Sequence, residues 1–225
     1  MYNYIKRVYF NLPLLALFIF IGFILLSIPF YPGSTYLEYT TVEYSFFNNF
    51  LSDLGRTITH GGSQNFISAF FFNNAMFISG ILFLLFYIFL PEYFYSESFL
   101  NKIAKFASSL GVLGSISFCF VGLTPADLYL QNHIFFANNI FYLSFPCALL
   151  YSIIIIKSKN LSSIYGIGYF LFSISLLLYI FILEFGPNIK TEFGLIVQAT
   201  SQKIITLFFI MSTFMLSIGI KKNYN

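Results

Sequence analysis

The run from Val8 to Phe30, VYFNLPLLALFIFIGFILLSIPF, decides the fold class. It carries no charged residue and is longer than the roughly 20 apolar residues that cross a bilayer core. The chain of 225 residues has the same character throughout, because 58% of its residues are hydrophobic and 8% are charged. A soluble domain carries about 25% charged residues. The composition therefore excludes a soluble fold and indicates a multi-pass membrane protein.

Runs of this kind predict helices, because lipid offers the backbone no hydrogen-bond partner. The predicted helices cover residues 8–30, 66–90, 104–123, 133–156, 161–183 and 195–220. We therefore expect an all-α fold, a polytopic integral membrane bundle of six transmembrane helices forming one domain over residues 1–225. Residues 31–65 form a long loop between the first two helices, and loops of that length usually carry function.

The basic residues indicate how the bundle is oriented, because Lys and Arg are retained on the cytoplasmic side. Most of the 11 lie at one end of the predicted bundle: Lys6, Arg7, Lys102, Lys105, Lys157, Lys159, Lys221 and Lys222. We predict that this end and both termini are cytoplasmic, in a cell membrane. Six of the eight acidic residues and both histidines then lie outside, so a candidate site is expected on the extracytoplasmic side.

A first polar cluster in the long loop reads Leu51-Ser52-Asp53-Leu54-Gly55-Arg56, with His60 following. One interpretation is a capped turn, because Ser and Asp accept free N–H groups at a helix start. Arg56 stands at ion-pair spacing from Asp53 if the stretch is helical. The other interpretation is a catalytic or metal-binding loop, with His60 as a ligand or base.

A second polar feature is the pair Asn73-Asn74 within the second predicted helix. Amides in a hydrocarbon span are costly unless they find hydrogen-bond partners. The two side chains point about 100° apart on a helix. We expect structural hydrogen bonds, one of them to the Ser52-Asp53 loop or a neighbouring helix.

A third cluster lies between the third and fourth helices, where Pro125 ends one helix and His133 opens the next. Asp127 lies in the loop between them, and the small Ala137 follows His133 by one turn on the same face. A helix N-terminus disfavours a cation, so a neutral His133 suits a base or a metal ligand. Alternatively, His133 is a structural histidine that is hydrogen-bonded to Asp127 or to a loop carbonyl.

Two further features occur later in the chain. Glu184 ends the fifth helix, and Gln198 and Gln202 share a face of the sixth, so all three are either interfacial or part of the outer cluster. The third helix carries a stripe of small residues that includes Gly111 and Ser115, which we interpret as a helix-packing surface.

The order of these motifs resembles a known family. The motifs are Ser52-Asp53-Leu54-Gly55, Asn74, Gly122-x-x-Pro125-x-Asp127 and His133-x-x-x-Ala137. Together, over residues 8–220, they look like the six-span prokaryotic membrane protein family catalogued as domain of unknown function 998. The resemblance implies six helices and a polar outer cluster, and it implies no activity. Family members often carry an acidic–Arg pair near the last helix, where this chain has the stretch 198–203.

The outer residues fit two catalytic arrangements, both for an intramembrane hydrolase acting on a lipid or another amphiphile. In the first, Ser52 is the nucleophile, His133 is its base, and the carboxylates of Asp53 and Asp127 orient the site. In the second, His60, His133 and Asp127, with Asp53 nearby, bind a zinc ion that activates water. Candidate substrate-binding residues are Arg56, Asn74, Glu184 and Gln198.

Two non-enzymatic functions compete with the hydrolase. A non-catalytic membrane protein that binds lipids or protein partners would use the polar cluster only to lock the bundle. A transporter would use it as a cation path, although the predicted inner halves of the helices are almost purely apolar. Membrane lipids are the expected partners. Nucleic-acid binding has no support, because the basic residues are scattered pairs at helix ends.

Overall fold

In a computed structural model, which describes Tyr9 and residues 11–222, the chain folds into a bundle of long helices. They are α1 (Leu12–Ser27), α2 (Phe66–Phe89), α3 (Ser98–Leu123), α4 (Leu130–Lys157), α5 (Ser163–Phe185) and α6 (Glu192–Lys222). Within the described residues, six helical segments are long and apolar enough to cross a membrane. The predicted all-α fold with six spans is confirmed. The start of the first predicted helix, with Lys6 and Arg7, lies outside the described residues.

Several helices begin earlier than the hydropathy predicts. The third helix starts at Ser98 instead of residue 104, and it therefore also includes Lys102. Long basic side chains of this kind can extend toward water while the backbone stays helical in the interfacial region. The fourth and sixth helices begin three residues earlier than predicted, at Leu130 and Glu192, because the first turn of each tolerates polar residues that hydropathy assigns to a loop.

The helices pack in chain order, each against the next, and α6 returns to contact α1. The outward faces remain apolar, as in Phe18 and Phe181, which are 70% and 62% exposed. Large exposed apolar areas are unusual on a soluble monomer and are what lipid contact requires. We call the end that carries residues 31–65, 124–129 and 186–191 the loop end, and the opposite end, which carries Lys102 and Lys159, the basic end.

The 31–65 loop is folded against the loop end of the bundle. It contains a 3₁₀ helix, Leu51–Gly55, and one isolated bridge between Ile58 and Gln64, and the described residues include no longer strand. Leu54 is completely buried in a cluster with α1 and α2. Gly33 turns the backbone with a positive φ of 106°, where a side chain would collide with the Thr41 carbonyl. The loop is therefore an ordered part of the protein.

Candidate functional site

Asp53 organises the 31–65 loop at the start of the 3₁₀ helix. Its Oδ2 accepts the Phe50 N–H at 2.9 Å and the Asn49 side-chain amide at 3.0 Å. Its Oδ1 lies 3.1 Å from Nε2 of His60, and both side chains are largely buried. The capped-turn interpretation of this cluster is confirmed for Asp53. His60 therefore pairs with Asp53, which is the partner that spacing had suggested for Arg56.

Tyr31 and Asn49 extend the hydrogen-bond network of Asp53 within the 31–65 loop. Burial, and then the Asp53 charge, raise the pKa of Tyr31, so its hydroxyl keeps its proton and donates to the Ser34 carbonyl at 3.0 Å. The Asn49 amide donates to the same carbonyl at 2.9 Å. Asp53 is therefore surrounded by donors that belong to its own loop, which makes its main role the ordering of that loop.

Lys203 connects the loop to α6. Its ammonium group donates to the Asn49 carbonyl at 2.5 Å and to the Ala199 carbonyl at 3.0 Å. It lies 5.7 Å and 5.2 Å from the ring centroids of Tyr44 and Phe46, within cation–π range. Sequence reasoning missed this contact. The available signal was a lysine inside the last apolar run, which is costly unless it is paired.

Asp127 connects the α3–α4 turn to the 31–65 loop. Its carboxylate accepts the Thr57 N–H at 2.9 Å, the Ile58 N–H at 3.0 Å and the Thr57 hydroxyl. Burial alone raises the pKa of Asp127, but these hydrogen bonds outweigh burial and hold the pKa below its usual range. Both carboxylate oxygens are therefore engaged with the loop and do not orient His133.

His133 is held by a backbone carbonyl. The side chain is 5% exposed, and its Nδ1 lies 2.8 Å from the Thr124 carbonyl. A carbonyl can only accept, so Nδ1 carries a proton, and the neutral imidazole then has a lone pair on Nε2. Among the described residues, Nε2 has no hydrogen-bond partner. Of the structural alternatives, the loop carbonyl is confirmed, and one ring nitrogen stays free for chemistry.

His133 lines a cavity of about 120 Å³ inside the bundle. All six helices contribute to its wall, and most of the lining side chains are apolar. The cavity also reaches Ser52 and Ala137, so the predicted sharing of a face by His133 and Ala137 is confirmed. The polar groups Ser52, His133 and Gln202 line it at the loop end, which we call the cavity mouth.

Gln202 is the glutamine of α6 that reaches the mouth. Its Oε1 accepts the Leu51 N–H at 2.8 Å, which fixes the amide orientation and makes Nε2 a donor group at the cavity. Gln198, the predicted substrate-binding residue, instead donates to the Pro187 carbonyl at 2.9 Å. The two share a helix face, and sequence alone does not say which turn of that face meets the bundle interior.

The other predicted substrate-binding residues are engaged locally. Arg56 donates through Nε to the Ile58 carbonyl at 3.2 Å, and Asn74 donates to the Phe70 carbonyl of its own helix at 2.8 Å. Glu184 accepts the Tyr142 hydroxyl between α5 and α4. The structure does not bring these three residues into the described lining of the cavity.

Asn73 makes the hydrogen bond that was expected of one member of the Asn pair. Its amide donates to the Gly55 carbonyl at 3.1 Å and so fastens α2 to the 3₁₀ helix. Together with Asp127 and Lys203, it brings contacts from α2, α6 and the α3–α4 turn onto one loop. Ser52 is held at the mouth by this framework.

The predicted zinc ligands are distributed over separate contacts. His60 pairs through Nε2 with Asp53, Asp127 accepts hydrogen bonds from Thr57, and His133 has a buried ring nitrogen without a partner among the described residues. Within the described residues, no three side chains of His, Cys, Asp or Glu are grouped closely enough to hold a metal ion. Zinc binding stays a hypothesis that metal analysis tests.

Comparisons of this chain with protein-family models, with curated proteins and with solved structures give no match. The resemblance to the family catalogued as domain of unknown function 998 therefore stays a hypothesis. Function has to be argued from the site itself.

Proposed function

We propose that this integral membrane protein is a hydrolase that cleaves an amphiphile, with Ser52 as the nucleophile and His133 as the general base. One observation carries the proposal: a buried histidine has one ring nitrogen fixed and the other free at the mouth of an apolar cavity that Ser52 also lines. With the orientation that the basic residues predict, the substrate comes from the outer leaflet.

The reaction follows from the acid–base state of His133. As Oγ of Ser52 attacks the carbonyl carbon of an ester, Nε2 takes its proton. The imidazolium then returns that proton to the departing alkoxide, which leaves an acyl ester on Ser52. Water, deprotonated by the same nitrogen, attacks this ester and releases the acid and free Ser52. General-base assistance of this kind contributes about 10²–10⁴-fold to the rate.

Two neighbours support the pair. The Thr124 carbonyl accepts a hydrogen bond from the Nδ1–H group of His133 and would stabilise the imidazolium. A carboxylate has this orienting role in other Ser–His sites. The Oε1 of Gln202 is held by the Leu51 N–H, so its Nε2 donors would stabilise negative charge on the carbonyl oxygen. In this proposal the Thr124 carbonyl takes the orienting role that the sequence predicts for Asp127.

Non-catalytic lipid binding is the second candidate. The observation that favours it is that Nε2 of His133 lacks a hydrogen bond to Ser52 among the described contacts. Nucleophile–base hydrogen bonds are often long before substrate binds, so this separation is compatible with both functions. A lipid-binding protein would bind the amphiphile at the same cavity without reacting with it.

The test is labelling by an alkyl fluorophosphonate, which reacts with an activated serine. The purified protein in nanodiscs is expected to be labelled at Ser52, and Ser52→Ala is expected to abolish labelling. His133→Asn keeps an amide N–H for the Thr124 carbonyl but removes the base, so the labelling rate should fall by about 10²–10⁴-fold.

The matched control is Ser63→Ala, an exposed hydroxyl in the same loop, which should leave labelling unchanged. Labelling that persists in Ser52→Ala, or absence of labelling in every variant, would overturn the serine mechanism. Elemental analysis of the same preparation distinguishes the serine mechanism from the zinc mechanism. Stoichiometric zinc together with no labelling would favour the zinc mechanism.

A further inference from the structure

We infer that the substrate of this site is an ester of a short acyl group, from acetyl to butanoyl. The acyl part lies in the cavity, and the alcohol part, which makes the substrate an amphiphile, stays outside. The inference rests on the proposed function, because it names the substrate of the same serine and histidine. The size of the acyl group follows from the volume and the lining of the cavity, and neither depends on the reaction.

The volume of the cavity limits the number of atoms in the acyl group. The whole cavity measures about 120 Å³. An apolar cavity of about 150 Å³ in another protein holds one benzene molecule, with its six carbon atoms. In proportion, about five non-hydrogen atoms fit into the cavity of this protein, and a butanoyl group has that number. The limit holds for any shape of the cavity, because it depends on space and not on length.

The wall of the cavity suits an uncharged hydrocarbon group. No charged side chain belongs to its described lining. Two of the hydroxyl groups in the lining donate to the backbone of their own helices. Ser115 donates to the Gly111 carbonyl at 2.8 Å, and Thr206 donates to the Gln202 carbonyl, also at 2.8 Å. An ionised group on the acyl chain, such as the ammonium of an aminoacyl group, would lose its hydration there without gaining a partner.

The cavity mouth separates the two sides of the ester. His133 is 5% exposed, whereas Ser52 is only partly buried, so the serine lies between the cavity and the surface of the loop end. The carbonyl is the polar part of a short acyl group, and at the mouth it meets the amide donors of Gln202. Its hydrocarbon tail then points into the apolar cavity. The alcohol part stays outside, where the volume of the cavity does not limit its size.

Two residues of α4 allow the space for the acyl group to be changed. Ala137 and Ile140 both line the cavity on the helix that carries His133. Ala137→Val adds methyl groups one turn from the histidine, and Ile140→Ala removes most of a side chain from the wall. Ile134, on the same helix, is 44% exposed and lies outside the described lining, so Ile134→Ala is the matched control.

The experiment measures the hydrolysis of p-nitrophenyl esters, from acetate to octanoate, by the purified protein in nanodiscs. From acetate to butanoate, kcat/KM should rise by up to about fourfold for each methylene that the cavity buries. From butanoate to octanoate, kcat/KM should fall by at least about tenfold, because the longer chain does not fit. Octanoate partitions more strongly into the bilayer, so a lower concentration at the protein does not explain such a fall.

The variants connect this chain-length profile to the cavity. Ala137→Val should lower kcat/KM for butanoate by about tenfold relative to acetate, because the added methyl groups occupy the space of the chain. Ile140→Ala should move the maximum from butanoate toward hexanoate, and Ile134→Ala should leave the profile unchanged. A maximum that moves in this way supports the inference. An octanoate rate equal to or above the butanoate rate, or the same profile in every variant, overturns it.

A binding measurement separates this inference from the proposed function. Butanamide and octanamide carry the same acyl chains as the esters but resist hydrolysis. Butanamide should raise the thermal midpoint of both the wild type and Ser52→Ala, and octanamide should not. Fluorophosphonate labelling of Ser52 without any preference for short chains would overturn the inference and keep the hydrolase. Stabilisation by butanamide without serine labelling would refute the hydrolase and leave a binding site for short acyl groups, and no response to any ester or amide overturns both.

Discussion

At the scale of single residues, the spacing of polar side chains predicted partners only within one helix or turn. His133 and Ala137 share a face because they are one turn apart, and both line the cavity. Asp127, by contrast, finds Thr57, which is 70 positions away in the chain. Short sequence spacing had associated Asp127 with His133, while the fold gives His133 a backbone carbonyl that no side-chain pattern reveals.

Asp127 should make the protein's stability depend on pH. Its folded-state pKa is below the usual value, so its contribution is fully present above the unfolded pKa and is lost as pH falls through the folded pKa. Asp127→Asn should lower the free energy of unfolding by about 1 kcal/mol at pH 7, since the carboxylate is partly exposed. The difference from wild type should shrink below about pH 4.

Thermal unfolding in detergent at pH 7 and at pH 3 measures this dependence. Glu43→Gln is the control, because Glu43 is an exposed acid of the same loop. A stability difference for Asp127→Asn that stays constant over this range would contradict the role of the charged carboxylate. So would an equal effect of Glu43→Gln.

At the scale of elements, the helices were predictable and the docking of the loop was not. Hydropathy fixes which segments must cross lipid, since every backbone group there needs an internal partner. The 31–65 loop has no such constraint, and its fold depends on contacts from α2, α6 and the α3–α4 turn. One of its buried polar contacts comes from Lys203, whose position in an apolar run gave only the general expectation of a partner.

Lys203→Met should loosen the 31–65 loop and leave the helices folded. The substitution keeps the length of the side chain but leaves the buried Asn49 carbonyl without its 2.5 Å donor. A loss of about 2 kcal/mol in local stability corresponds to roughly 30-fold faster hydrogen exchange or proteolysis within residues 36–48.

Hydrogen–deuterium exchange followed by mass spectrometry resolves this effect by segment. Lys190→Met, an exposed lysine on the neighbouring connection, is the control and should not change exchange in the loop. Unchanged protection of the loop in Lys203→Met would show that the aromatic and Asp53 contacts hold it without the lysine. Equally faster exchange in α1–α6 would instead show that Lys203 stabilises the whole bundle.

At the scale of the whole molecule, the cavity is the feature that sequence could not predict. The small residues of α3 predict a packing stripe, and Gly111 does pack tightly against Tyr87. Gly111 also lines the cavity, together with the neighbouring Gly114 and Ser115. Whether a small residue admits a neighbour or leaves a void depends on the crossing of all six helices, which no local pattern contains.

The orientation of the bundle decides which leaflet supplies the ligand. The distribution of Lys predicts that the basic end is cytoplasmic and that the mouth faces outward. Cysteine labelling can test this orientation directly. The two native cysteines, Cys119 and Cys147, are only 8% and 1% exposed, so they should react little with thiol reagents. Ser63→Cys at the loop end and Ser96→Cys at the basic end each place one exposed thiol without removing a charge.

In intact cells, a membrane-impermeant maleimide should label Ser63→Cys, and it should label Ser96→Cys only after permeabilisation. The parent protein is the control for background from the native cysteines. The reverse pattern would place the mouth on the cytoplasmic side. It would move the source of the ligand to the inner leaflet but leave the geometry of Ser52, His133 and the cavity unchanged.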